Sequence, residues 1–235
     1  MGFRSAAAQA KPAQLLLLAS IDGTEKDAVA TAIREGAQGV LATVGPASDG
    51  YTLKDVGAAA VGGIWGGAME VGGKEEVERL KAAGAHFALF RSTGLAGDAL
   101  EVEDIDKVLE VDQEWPDMLL RSVAGLQVAA ALLRLSVDGL TLQGLLQCRR
   151  VASLVGKPLL AAIPPGMAGA SMTLLRDTGV DGVIVAAGSV SQFHAAIRDM
   201  PPPKKTQEHM DAVLGLRGGR GSMHEEEDDE DDDDD

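Results

Sequence analysis

The sequence has few of the residues that mark disulfide-rich, nucleic-acid-binding or membrane-spanning proteins. Its single cysteine, Cys148, excludes an internal disulfide framework and is typical of a reducing compartment. Aromatic residues make up 3% of the chain, too few for the stacking platforms that bind single strands. The longest apolar runs, such as 15–19, fall far short of the ~18 residues that span a membrane. We therefore expect a soluble cytoplasmic protein that binds neither nucleic acid nor membranes.

Basic residues are also in the minority. The chain has 21 Lys and Arg against 36 Asp and Glu, a net charge of −15. Its last eleven residues, 225–235, are all acidic, so the rest of the chain carries a net charge of only −4. Such a run repels itself and stays disordered, which predicts a solubilising tail. Docking of the tail to a basic partner is the alternative interpretation.

Proline and alanine divide the chain into three parts. Residues 1–13 are Ala-rich without an amphipathic period, which predicts a flexible N-terminal arm. Three prolines and two lysines open the segment 201–235 and cannot continue a helix, which predicts a Pro/Lys/Gly-rich linker before the acidic tail. The regular pattern of residues 14–200 predicts one compact domain, and its length permits a single barrel.

Eight short apolar segments recur through the central domain. They are largely apolar in both phases, as expected for parallel strands that are buried on both faces. Their starts are 21 to 30 residues apart and lie near Gln14, Gly39, Gly62, His86, Lys107, Val128, Pro158 and Asp181. The sixth strand has an alternative position at 137–142.

Helical patterns fill most of the gaps between these segments. They cover 24–36, 51–60, 74–84, 116–125, 141–156, 170–179 and 190–200. Several end at a glycine, such as Gly36, that suits the left-handed position after a helix. Strand-plus-helix units at this spacing predict an α/β fold, a single compact (βα)8 barrel. The alternative is an open doubly wound sheet, but its glycine-rich nucleotide turn is missing from 20–24.

The segment 179–189, GVDGVIVAAGS, resembles the eighth strand of aldolase-type TIM barrels of the phosphate-binding kind. The chain departs from that family by carrying Ala186 and Ala187 where glycine often follows directly. The resemblance implies that Gly188 and Ser189 bind a phosphate group. The preceding long loop, 163–171, supplies Gly166 and Gly169, and barrel phosphate sites use these last two loops.

Charged side chains end three neighbouring predicted strands. Because strand side chains alternate with period two, Arg91, Glu110 and Arg134 are in phase with apolar residues of their own strands. We expect them to meet at the barrel mouth as an Arg–Glu–Arg cluster, the name kept below for these three residues. One interpretation is a buried ion network that sets strand register. The other is an anion site in which two guanidiniums hold a carboxylate or phosphate and Glu110 is a general base or metal ligand.

Further carboxylates follow the predicted strands near the same end. Asp22 comes after the first strand and completes the candidate catalytic residues. Glu70 and Asp112 follow the third and fifth strands and are candidate Mg²⁺ ligands, because Mg²⁺ prefers oxygen donors. The alternative for Asp112 is an exposed loop leading into the helix at Pro116.

These residues predict an enzyme that acts on a small anionic metabolite by lyase or isomerase chemistry. One alternative is a non-catalytic barrel that serves as an interaction module through its acidic tail. Another is an oxidoreductase that holds FMN by its phosphate at the last two loops. Fold alone does not separate these functions, and a homo-oligomer is compatible with each.

Overall fold

The computed structural model describes residues 15–22, 26–44, 50–91, 93–94, 96–136, 141–167 and 171–202. The predicted arm at 1–13 and the tail from 203 onward lie outside these residues, as does Gly169. The division of the chain into arm, barrel and tail therefore stays a prediction.

Eight parallel strands form a closed barrel. Each strand pairs with its neighbours in chain order, and the eighth pairs with the first. The strands are β1 (Leu16–Ile21), β2 (Gly39–Thr43), β3 (Ile64–Met69), β4 (Phe87–Arg91), β5 (Asp106–Val111), β6 (Ala130–Arg134), β7 (Leu159–Ala162) and β8 (Gly182–Ala186). The predicted (βα)8 barrel is confirmed. The sixth strand forms at the first of its two predicted positions, near Val128. A helix begins at Leu142, the last residue of the alternative position 137–142.

The strand register fixes the geometry of this barrel. Leu18 pairs with Gly39 on one side, and Leu16 pairs with Gly182 on the other. When the paired residues are followed once around the barrel, the path returns to β1 displaced by eight residues along that strand. This stagger is the one that (βα)8 barrels have, and it leaves an interior that side chains fill.

Seven α-helices lie in the described part of the chain. They are α1 (Lys26–Arg34), α2 (Gly50–Ala59), α3 (Lys74–Ala82), α4 (Asp117–Ser122), α5 (Leu142–Val155), α6 (Met172–Asp177) and α7 (Val190–Arg198). Each falls within or close to a predicted helical pattern, and Gly36 has the left-handed φ of +108° predicted for it. Between β4 and β5 the connection contains a short 3-10 helix, Gly97–Glu101. Glycines at 94 and 97 disfavour a longer helix there.

The core has an inner and an outer layer. Inside the barrel, apolar side chains from the strands fill the space, with Phe87, Leu132 and Leu160 each about 98–99% buried. A larger layer lies between strands and helices and includes Trp65, Leu80 and Phe193. Strands that are buried on both faces explain why the sequence is apolar in both phases.

Polar side chains tie neighbouring strands together at their amino ends. The amide of Leu17 donates to Gln38 Oε1 (2.8 Å), and that of Leu159 donates to Asp181 Oδ2 (2.9 Å). The amide of Trp65 donates to His86 Nδ1 (3.3 Å), which makes that nitrogen the unprotonated one. Each acceptor immediately precedes a strand, so its side chain reaches back to the strand before it. This end of the barrel is built for stability.

Two titratable groups are buried away from the carboxyl ends of the strands. Cys148 on α5 is 1% exposed, and burial raises the pKa of its thiol. Lys107 near the start of β5 donates to the carbonyl of Val102, and burial lowers the pKa of its amine.

Among the described helices, none has the length and apolar character needed to cross a membrane.

Gly66 makes room for Phe87 inside the barrel. A Cβ at this position would lie 2.5 Å from ring atoms of Phe87, which is much closer than real contacts allow. Close packing of this kind explains why the third strand has glycines where other strands have branched residues.

We expect Gly66→Ala to lower the free energy of unfolding by about 1–3 kcal/mol, because overpacking forces Phe87 to move. Urea unfolding followed by circular dichroism measures the change. Gly125→Ala is the control, since a Cβ there meets nothing within 4 Å. Equal stability of the two variants would contradict this account of the barrel interior.

Candidate functional site

The carboxyl ends of the eight parallel strands meet at one mouth of the barrel. Phe87, Leu89, Val108, Ala130 and Leu132 all belong to the inner core layer. Because strand side chains alternate, the residues two positions further along the same strands point to the same interior. Arg91, Glu110 and Arg134 lie two positions beyond Leu89, Val108 and Leu132 and form the Arg–Glu–Arg cluster.

The three side chains of the Arg–Glu–Arg cluster form two ion pairs. Arg91 Nε lies 3.2 Å from Glu110 Oε1, and Arg134 Nη2 lies 2.9 Å from Glu110 Oε2. Each carboxylate oxygen thus faces a different guanidinium. The sequence predicted this meeting of the three charges, whereas their catalytic and binding roles stay predictions.

Strand register explains why these three residues meet. Arg91 is the direct partner of Glu110 in the β4–β5 ladder. Glu110 pairs with Leu132 in the β5–β6 ladder, so Arg134 lies one inward position further toward the mouth. The long arginine side chain spans that offset and returns to the carboxylate.

The three side chains of the cluster differ in their exposure to solvent. The Glu110 side chain is 15% exposed, but those of Arg91 and Arg134 are 50% and 55% exposed. A fully buried ion network does not form, because half of each arginine side chain reaches solvent. The arrangement is a covered carboxylate between two accessible guanidiniums with a combined charge of +1.

Two other predicted residues lie at the rim of the mouth. Asp22 follows β1 and Glu70 follows β3, and both are exposed. The loop after β3 is hydrogen-bonded to the loop after β4: Gly72 donates to the carbonyl of Gly94 (3.0 Å), and Ala96 donates to that of Gly72 (2.9 Å). A Cβ on Gly94 would overlap the carbonyl oxygen of Glu70. The chain segments that leave Glu70 and Arg91 are therefore in direct contact.

The candidate Mg²⁺ ligands Glu70 and Asp112 do not belong to a group of three potential metal ligands in the described part of the chain, and their role as ligands stays a prediction. No three His, Cys, Asp or Glu side chains there come close enough together to hold a metal ion. Asp112 Oδ1 instead accepts a hydrogen bond from the amide of Glu114 (2.9 Å), and Glu110 faces two arginines. The carboxylate of Asp112 thus takes part in a local turn, and the carboxylate of Glu110 takes part in two ion pairs.

The two loops proposed for phosphate binding are described in part. Gly166 is exposed with φ +88°, and Gly169 lies outside the described residues. Gly188 and Ser189 belong to a 3-10 turn, Ala187–Ser189, that connects β8 directly to α7. Gly188 is exposed, and a Cβ there would meet nothing within 4 Å. The turn at the start of α7 offers backbone N–H groups near the carboxyl end of β8.

Two residues near the mouth were missed in the sequence. Ser20 is half-buried on β1, in phase with Leu16 and Leu18, and the period-two pattern contained that signal. Arg150 on α5 makes three hydrogen bonds to the segment 113–117 after β5. The sequence carried no signal for it, since Arg149 and Arg150 are alike as charges on a helix.

No protein-family model and no curated protein matches this chain in sequence. Solved structures do match it. Ligand-free tryptophan synthase from M. tuberculosis has a TM-score of 0.60 at 13% identity, covering 79% of this chain and 94% of its own. Phosphoribosyl anthranilate isomerase from Thermus thermophilus has a TM-score of 0.60 at 15% identity, with 78% and 98% covered. Homocysteine methyltransferase MmuM from Escherichia coli has a TM-score of 0.59 at 13% identity, with 79% and 97% covered.

The chain has the (βα)8 barrel fold of these structures. The resemblance of segment 179–189 indicated this fold, and the eighth strand begins within that segment, at Gly182. At such low identity the likeness shows the fold alone. The chemistry of this barrel must be argued from its own mouth residues.

We expect Gly94→Ala to destabilise this (βα)8 barrel by about 1–3 kcal/mol, because the added methyl group displaces the Glu70 backbone. Thermal unfolding of the purified variant measures the effect. Gly97→Ala is the matched control in the same connection, where a Cβ meets nothing within 4 Å. If both variants unfold at the wild-type temperature, the contact between the two loops does not constrain the mouth.

Proposed function

We propose that this barrel is an enzyme that acts on a small metabolite bearing a carboxylate or phosphate, by lyase or isomerase chemistry. The observation that carries the proposal is the Arg–Glu–Arg cluster, with its covered carboxylate and half-exposed arginine side chains. In barrels of this fold, active sites lie at the carboxyl ends of the strands, where the cluster is.

Two arginines suit the recognition of an anion. A guanidinium carries five N–H donors in a planar fork, and each ion pair with Glu110 joins a single guanidinium nitrogen. The rest of the fork matches the spacing of carboxylate or phosphate oxygens. A ligand anion that bridges Arg91 and Arg134 also meets a net positive charge, because one carboxylate balances only one of the two guanidiniums.

The ion pairs set the order of events at Glu110. Both oxygens of Glu110 face a guanidinium, so the carboxylate accepts a proton only after one ion pair opens. An anionic substrate that draws a guanidinium to itself opens that pair. Glu110 then takes the proton from the carbon beside the substrate's carboxyl or carbonyl group, and the electron pair of that C–H bond moves to oxygen. The arginines stabilise the resulting enolate-like charge.

Product formation follows from the same charge. In an isomerase reaction the protonated Glu110 returns the proton to a different carbon of the enolate. In a lyase reaction the electron pair expels a leaving group from the neighbouring carbon, and the proton of Glu110 goes to that group or to water. Both routes need one acid–base group at the mouth, and this proposal assigns that role to Glu110.

A phosphate group on the substrate fits the second half of the mouth. The exposed Gly188 and the turn before α7 lie after β8, and Gly166 lies after β7. Loops after the last two strands with a helix N-terminus are where barrels of this fold bind phosphate. The name of one structural neighbour, phosphoribosyl anthranilate isomerase, gives a phosphorylated substrate. We extend that substrate class to this chain, with Gly166, Gly169, Gly188 and Ser189 as phosphate-binding residues.

Removing either guanidinium tests the anion site. We expect Arg91→Gln and Arg134→Gln each to weaken the binding of inorganic phosphate or malonate about tenfold or more, the loss of one or two charge-assisted hydrogen bonds. Isothermal titration calorimetry measures the dissociation constants. Arg121→Gln is the control, since this exposed arginine lies in the last turn of α4. Unchanged affinity in both mouth variants would refute the proposal.

Neutralising the carboxylate separates catalysis from folding. We expect Glu110→Gln to stay folded, to bind anions more tightly because the cluster gains positive charge, and to lose about 10²–10⁴-fold in turnover of any substrate. Circular dichroism, calorimetry and an assay on candidate phosphorylated and carboxylated metabolites give the three readouts. An unfolded Glu110→Gln protein would instead mean that the ion pairs serve the fold.

A further inference from the structure

The side chain of Arg150 connects two of the strands that carry the Arg–Glu–Arg cluster. Its Nη1 donates to the carbonyl of Gln113 (2.8 Å) and its Nη2 to that of Trp115 (2.7 Å). Its Nε donates to Asp117 Oδ1 (2.8 Å). The acceptors belong to the segment that leaves Glu110, whereas Arg150 belongs to the helix that follows Arg134.

This connection begins where the strand ladder ends. β5 stops at Val111, only one residue after Glu110. The amide of Glu114 bonds to Asp112 Oδ1 (2.9 Å), and the amide of Trp115 bonds to the Asp112 carbonyl (3.1 Å). Those two bonds fold the loop on itself without joining it to the neighbouring unit. The guanidinium of Arg150 connects the loop to the helix that follows β6, by hydrogen bonds to two backbone carbonyls and one carboxylate.

We propose that Arg150 is a positioning residue for the Arg–Glu–Arg cluster. By holding the chain just beyond β5, it keeps the Glu110 carboxylate between the guanidiniums of Arg91 and Arg134. Lysine cannot replace it, because an ammonium group at the end of a flexible stem does not reach three acceptors that lie around a planar fork. The proposal rests on the proposed function for its effect on ligand binding, but not for its geometry.

Two NMR measurements on the full chain test this role in Arg150→Lys. Hydrogen exchange at the amides of residues 113–115 reports on the loop. Hydrogen exchange at Arg91 Nε–H, whose nitrogen lies 3.2 Å from Glu110 Oε1, reports on the cluster. We expect both rates to rise about three- to tenfold, the factor for losing one or two hydrogen bonds. Arg149→Lys, at the exposed neighbouring arginine, is the matched control and should leave both rates unchanged.

The pair of readouts separates positioning from local support. Faster exchange at the loop amides with an unchanged Arg91 signal would overturn the proposal, since Arg150 would then serve the loop alone. Unchanged exchange at both sites would also overturn it. If Arg150→Lys fails to fold, Asp117→Asn, which keeps both carbonyl bonds, is measured in the same way. A smaller rise at both sites is then expected, and no change at Arg91 contradicts the proposal.

A phosphate titration of the wild-type protein distinguishes this inference from the proposed function. A wild-type chain that binds no inorganic phosphate or malonate contradicts the anion site, whereas the Arg91 signal still decides the role of Arg150. When the wild type does bind, Arg150→Lys should weaken the affinity about three- to tenfold. An affinity equal to that of Arg149→Lys would overturn the positioning role.

Discussion

Glu110 is a carboxylate that points into the interior of a barrel, and the register of β4 and β5 sets where it must find a partner. A charge at that position is costly unless it is paired or reaches water. The ladder places Arg91 directly opposite, and the stagger of β6 brings Arg134 to the second oxygen. A slip of one residue in this register would turn Glu110 toward the helix layer, where Leu109 and Val111 now pack.

The two ends of the barrel divide the work of the polar side chains. At the amino ends, Gln38 and Asp181 bind backbone amides of the preceding strands and contribute to the fold. At the carboxyl ends, charged side chains form ion pairs with each other, and the two arginine side chains are half exposed to solvent. The apolar inner layer around Phe87 and Leu132 separates the two ends. Because the two ends are separate, the mouth residues can vary in chemistry without disturbing strand pairing. The structural neighbours agree with this, since they share the fold but have different names.

The proposed chemistry depends on the competition between ion pairs. Glu110 holds two guanidiniums in place before a ligand arrives, so the anion site is organised in advance. In the proposed reaction, a ligand anion replaces Glu110 at one guanidinium before the carboxylate takes part. Arg150 extends this organisation beyond the strands, because the segment after Val111 has no ladder to hold it.

Periodicity and spacing in the sequence were enough to determine the barrel, the phase of each strand and the meeting of Arg91, Glu110 and Arg134. These features depend on interactions local to each strand and on the regular recurrence of units, which the order of residues records. The contacts of the candidate Mg²⁺ ligands were not predictable, because strand phase does not say what else a carboxylate touches, and Asp112 Oδ1 accepts a hydrogen bond from the amide of Glu114. The contact of Gly94 with Glu70 and the bonds of Arg150 were decided only by tertiary structure. They join residues of different units, and their geometry follows from how loops and helices pack around the closed barrel.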